Sequence, residues 1–134
     1  MREIIPGQAI DNFQLSWTYP ELLAQLKDKE YQIEDLQNNN LIIHYLYYKF
    51  WIDTQSDAIT QIGVFSGYTG KLNGLIGIGS TLTDVKQCFG AWQEDLYVYI
   101  IPTIPGVCFE LADNDIDDEW IQETAPIGAI YIFK

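Results

Sequence analysis

Two stretches of the chain space their apolar residues at a helical period, and both open in the same way. In LSWTYPELLAQLK (15–27) Leu22 and Leu26 lie four residues apart, and in IGSTLTDVKQCFG (78–90) Val85 and Phe89 do the same. Sliding the first onto the second by 63 positions puts Thr18 on Thr81, Glu21 on Asp84, Leu22 on Val85 and Leu26 on Phe89. A Thr followed three residues later by an acid is a capping box. The hydroxyl accepts from an early helix amide, and the acid sits where the helix dipole favours negative charge. Pro20 suits a first turn, where no amide hydrogen is needed. Gly90 stands where a helix ends in the left-handed region. Asp84 has the shorter side chain, so the second box is the less standard of the two.

Outside these stretches the pattern changes to that of strands. YQIEDL (31–36), LIIHYLYYKFWI (41–52) and ITQIGVF (59–65) follow the first predicted helix; LYVYII (96–101), GVCFELA (106–112) and IGAIYIF (127–133) follow the second. All are rich in Tyr, Ile, Val and Phe, and turn residues such as Asn38–Asn40 and Pro105–Gly106 bound them. The final strands of the two halves match at Ile59/Ile127, Ile62/Ile130, Val64/Ile132 and Phe65/Phe133, with the offset grown to 68. The predicted architecture is therefore α+β. Two tandem helix-β-β-β halves, 1–67 and 74–134, build a mostly antiparallel sheet of about six strands with two helices on one face. Half a chain is marginal alone, so residues 1–134 are expected to form one domain. Read as one strand, YLYYKFW (45–51) turns Tyr45, Tyr47, Lys49 and Trp51 to one face, and Leu46, Tyr48, Phe50 and Ile52 to the other. One of these faces packs under the helices, and the other is covered or forms an aromatic patch.

The glycines of GLIGIGSTLTDVKQCFG (74–90) raise the possibility of a phosphate loop. Neither a Lys-Ser/Thr pair after the last glycine nor GxGxxG is present, and Asp84 would oppose an anion. The stretch is read as a helix entrance, with Gly74, Gly77 and Gly79 turning the backbone.

Composition narrows the class. Of 134 residues, 48% are apolar and 14% aromatic, as in a folded globular domain. Seven basic residues against 19 acidic ones give −12, with 4 basic and 9 acidic through residue 67 and 3 and 10 thereafter. Such a balance disfavours nucleic acid and anionic membrane and favours cationic partners. MREIIPGQAIDNF predicts no signal peptide, and no stretch reaches the roughly 18–20 apolar residues of a membrane span. Cys88 and Cys108 are read as reduced thiols of a cytoplasmic protein, both small enough to pack in the core.

Catalytic constellations are scarce. His44 is the only histidine and lies within an apolar strand. HExxH, CxxC and GxSxG are absent, so zinc and an activated nucleophile are not expected. The carboxylates cluster in ELADNDIDDEWIQE (110–123), where Glu110, Asp113, Asp115, Asp117, Asp118, Glu119 and Glu123 meet no Lys or Arg. DNDIDDE begins like a calcium loop, but its sixth position is Asp118 rather than Gly and its twelfth is Thr124 rather than Glu. Three readings remain: calcium binding, a solvated loop between strands, or an acidic surface for a basic partner. Trp120, directly after the acids, is either an interface anchor or a core residue pinning the loop.

GSTLTDVKQCFG, and more loosely LSWTYPELL, resembles the helix entrances of the tandem beta-lactamase-inhibitor and small outer-membrane lipoprotein families. Their half-repeats open with a glycine-bearing turn, an acid and a Val. Those families are exported, and the lipoproteins carry a lipidated Cys after a signal. Neither feature is expected here, so the resemblance bears on layout alone. By type, a small acidic α+β chain rich in Tyr and Trp is similar to bacterial immunity proteins, which protect a cell from its own delivered toxin. That resemblance implies a cytoplasmic, non-enzymatic inhibitor without metal or cofactor. It would occlude a basic toxin of the nuclease type through the acids of 110–123 and exposed aromatics. The alternatives are a small-ligand or stress-related module with a pocket between sheet and helices, an enzyme using carboxylates and His44, and a structural subunit pairing through an edge strand.

Overall fold

The computed structural model describes residues 2–112 and 121–134. Three short strands, β1 (Glu3–Ile5), β2 (Ala9–Ile10) and β3 (Phe13–Gln14), open the chain as an antiparallel meander. α1 (Tyr19–Gln25) leads into β4 (Gln32–Gln37), β5 (Asn40–Tyr45), β6 (Tyr48–Asp53) and β7 (Ala58–Val64). β8 (Lys71–Leu72) lies in the linker. Then α2 (Leu82–Phe89) leads into β9 (Gln93–Asp95), β10 (Val98–Ile101), β11 (Ile104–Leu111) and β12 (Ile127–Phe133).

Both helices start at the predicted caps. Glu21 N–H donates to Thr18 Oγ1 at 3.3 Å and Thr18 N–H to Glu21 Oε1 at 3.0 Å. The second box is equally reciprocal, with Asp84 N–H to Thr81 Oγ1 at 3.2 Å and Thr81 N–H to Asp84 Oδ2 at 2.9 Å. Gly90 closes α2 at φ 96°.

The sheet departs from expectation. Among the described residues it has eight antiparallel strands, ordered β4-β5-β6-β7-β12-β11-β10-β9, instead of about six. A second sheet, β3-β2-β1-β8, lies beside it, with β8 parallel to β1. The described residues are mostly β, so the predicted α+β layer of two helix-β-β-β halves is corrected, among them, to two helices, each followed by a four-stranded meander. The apolar run 41–52 is a hairpin, not one strand, and turns at Leu46–Tyr47 without any residue that announces a turn. Tyr45 consequently pairs with Tyr48 on the inner face, not with Lys49 and Trp51 on the outer one. The polar triplet Gln93–Asp95, too short and too hydrophilic to read as a strand, pairs with β10.

The two meanders join along β7 and β12, where Ile62 faces Ile132 and Val64 faces Ile130. In the sequence match Ile62 is equivalent to Ile130, and Val64 to Ile132. A local two-fold axis therefore passes between the equivalent residues Gly63 and Tyr131, which face each other. A Cβ on Gly63 would lie 2.8 Å from Tyr131 Cδ1, so the glycine makes room for the ring.

The core lies on the inner face of the large sheet. Ile43, Phe50, Ile62, Phe109, Ile130 and Ile132 are fully buried there and cluster with Leu22 and Leu26 of α1 and Leu82 and Val85 of α2. The small sheet adds Ile4, Ile10 and Leu72 to the same cluster. A polar knot fastens it. Asp11, at φ 54°, accepts from Tyr48 OH, from Tyr68 OH at 2.8 Å and from Glu3 N–H at 2.7 Å. Burial, and then the hydrogen bond to Asp11, push both phenols above the usual tyrosine range. Tyr47 packs on these two rings, 5.0 Å from Tyr48 and 5.5 Å from Tyr68. The Arg2 guanidinium bonds the Tyr47 hydroxyl and lies 5.5 Å from the centre of its ring.

Candidate functional site

Register puts several connections at one end of the large sheet. Tyr48, Val64, Ile130, Phe109 and Tyr99 form one row across it. The β5–β6 turn, the β9–β10 turn and the β11–β12 connection all leave the sheet on the same side of that row. The first two turns are both Leu-Tyr: Leu46–Tyr47 and Leu96–Tyr97.

The β9–β10 hairpin is short because β9 has only three residues, all exposed. Its turn holds Leu96 at φ 48° and Tyr97 at φ 74°, left-handed conformations that a Cβ disfavours. Each is 86% exposed. Glu94 and Asp95 precede the turn and are exposed as well. The segment returning toward β12 lies against this hairpin. Gln122 Nε2 donates to Glu94 Oε1 at 3.1 Å and to Tyr99 OH at 2.8 Å. The Glu123 carbonyl accepts from Thr83 N–H at 3.2 Å and from Thr83 Oγ1 at 3.0 Å, tying the segment to the first turn of α2. Between α2 and the segment lies a surface depression of about 480 Å³ lined by Lys86, Trp92 and Glu123 among others. The Trp92 ring stands edge-on to Tyr99 at 5.6 Å. Exposed apolar groups (Leu96, Tyr97, Ile121) and exposed carboxylates (Glu94, Asp95, Glu123) thus share one end of the sheet.

The predicted acidic site divides. Glu123 belongs to this end. Glu110 lies on the outer face of β11, where its Oε1 accepts from Tyr131 OH at 3.3 Å. Asp113, Asp115, Asp117, Asp118, Glu119 and Trp120 lie outside the described residues, as does the calcium-loop resemblance. Leu96 and Tyr97 escaped sequence reasoning because LYVYII reads as an unbroken strand. The signal that could have found them is the recurrence of Leu-Tyr at 46–47 and 96–97.

The outer face carries a partly buried cluster of aromatic rings. Trp51 and Phe65 each approach Tyr131 edge-on at 5.7 Å, and Lys49 Nζ lies 4.4 Å from the centre of the Phe65 ring. Cys108 faces Tyr131 in register. Burial, then the Glu110 charge, push its thiol up to about 11, which keeps it protonated and unreactive. Cys88, expected in the core, is exposed on α2. His44 Nε2 lies 2.8 Å from Glu34 Oε1, an exposed cross-strand pair. None of the helices among the described residues is long and apolar enough to cross a membrane.

The geometry is that of a β-rich protein presenting one acidic, apolar-tipped end of a twofold-repeated sheet. The chain matches no family model and no curated protein sequence. It is similar to the crystal structure of the uncharacterized protein yfeY from Escherichia coli, with a TM-score of 0.58 and 12% identity over 97% of this chain and 100% of that one. At that identity the likeness speaks for the fold alone.

Proposed function

We propose that this chain is a non-enzymatic inhibitory binding protein that occludes a basic protein, as a cytoplasmic immunity protein occludes a nuclease-type toxin. The observation that carries this reading is the grouping of Glu94, Asp95 and Glu123 with exposed Leu96, Tyr97 and Ile121 at one end of the sheet. Carboxylates around apolar side chains suit an interface in which charge steers the encounter and apolar area holds the complex. A net charge of −12 acts in the same direction over longer range. The acids of 113–119 add to that charge.

Affinity capture with the tagged chain from its native cells, washed with rising salt, tests the reading. The expected result is one basic protein retained in equimolar amount, whose own activity the chain inhibits on binding. Retention should weaken as salt rises. No such protein held at low ionic strength by cells that express the full proteome would overturn it.

A further inference from the structure

The left-handed residues of the chain separate into two chemical groups. Among the described residues ten non-glycine positions have positive φ. Asp11, Asp28, Asn38, Asn39, Asp57 and Asn73 are Asp or Asn, which tolerate this conformation, and with Gln37 all seven are polar. Leu46, Leu96 and Tyr97 are not. Two-residue hairpins of this hand favour Asn-Gly or Asp-Gly, so Leu96–Tyr97 is a poor solution for the fold by itself. Nor do the side chains repay the backbone by packing. Both are 86% exposed, the highest exposure of any large apolar side chain described. Such outliers concentrate at binding and catalytic sites.

From this we infer that the Leu96–Tyr97 turn is an apolar anchor that inserts into an apolar cleft, rimmed by Lys or Arg, on a protein partner. The inference rests on the occlusion reading and deepens it by naming the group that enters the partner. Charge selects the occupant. Glu94 and Asp95 directly precede the turn, and they would repel an anionic bilayer or nucleic acid while pairing with a cationic rim. A Tyr, with two side-chain rotors, supplies contact area with little side-chain entropy to lose.

The test uses the full chain, and its probe is the basic protein that the wild type retains at low ionic strength. The variant L96N/Y97G installs the residues that the turn favours. It should fold with an unchanged or raised thermal midpoint, yet bind that protein about 30-fold more weakly, chiefly through faster dissociation and with the salt dependence preserved. E94Q/D95N should instead slow association and flatten the salt dependence. As a second measurement, a photo-crosslinker at position 97 should attach to an apolar residue of the same protein with Lys or Arg nearby. Wild-type affinity in a folded L96N/Y97G chain, or adducts from elsewhere only, would overturn the anchor and leave the occlusion reading standing. No basic protein retained by the wild type would overturn both. Self-association of the wild type that L96N/Y97G abolishes would overturn the anchor by assigning the turn to a second copy.

Discussion

The two Leu-Tyr turns sit at the same end of the same sheet and are used differently. At Leu46–Tyr47 the tyrosine is half-buried. It packs on Tyr48 and Tyr68, and its hydroxyl meets Arg2. At Leu96–Tyr97 the tyrosine is 86% exposed beside Glu94 and Asp95. The same dipeptide thus closes a hairpin against the N-terminal sheet in one half and presents itself to solvent in the other. At the first turn the fold explains Tyr47, while Leu46 stands 72% exposed at φ 51°. The second costs backbone energy that no packing inside the described chain offsets, which is why it reads as a surface shaped for something else.

The comparison breaks most severely at the knot under the first turn. Asp11→Ala leaves the buried Tyr48 and Tyr68 hydroxyls without their acceptor and frees Glu3 N–H. The expected loss is about 2–4 kcal/mol in urea denaturation. The loss should spread to the first turn, seen as deprotection of amides around residues 46–48 but not around 96–98. The same knot predicts alkaline behaviour. Both phenols have folded-state values raised above the ordinary one of about 10, so their contribution is complete below pH 10 and is lost as pH climbs above it. A spectrophotometric titration should find these tyrosines neutral until the protein unfolds.

The seam between the halves should be the next most sensitive point. Gly63→Val drives a side chain into Tyr131, whose ring already touches Trp51 and Phe65. Overpacking there should cost about 1–3 kcal/mol. Tyr131→Ala in the same chain should recover part of it, a coupling that a double-mutant cycle measures. Tyr47→Ala follows, at about 1–2 kcal/mol from the lost ring contacts. Tyr97→Ala should stay within about 0.5 kcal/mol of wild type, as an exposed side chain does.

What could be read from the chain was local or repeated. Thr18–Glu21 and Thr81–Asp84 each carry both halves of a cap within four residues, so both helix starts were visible. The match of 59–65 with 127–133 was visible too, but not that these strands pair with each other across Gly63 and Tyr131. The hairpin at 46–47 was hidden because Leu and Tyr are strand formers, and no Gly, Asn or Pro marks the reversal. β8 joins β1 through two residues on each strand across most of the first half, a pairing that only the finished fold specifies. Leu96–Tyr97 was hidden for the same reason as 46–47. The residues that most obscure the turn are also those that single it out once its conformation and exposure are known.

The smallest effect sharpens the comparison most. Tyr97→Gly removes a Cβ from a backbone at φ 74°, where glycine meets no steric penalty. Glycine also gives the unfolded chain more freedom, which subtracts from the gain. The balance should be a stabilisation of a few tenths to about 1 kcal/mol, with the thermal midpoint higher by about 1–4 °C. Tyr47→Gly must go the other way, because it surrenders the packing on Tyr48 and Tyr68 and the bond to Arg2. Tyr47 is not among the left-handed residues, so glycine relieves no strain there, and opposite signs would mean that backbone and packing together hold Tyr47 in place and neither holds Tyr97. Equal destabilisation at both would mean that Tyr97 carries packing for the fold, and the case for a strained external anchor would fall with it.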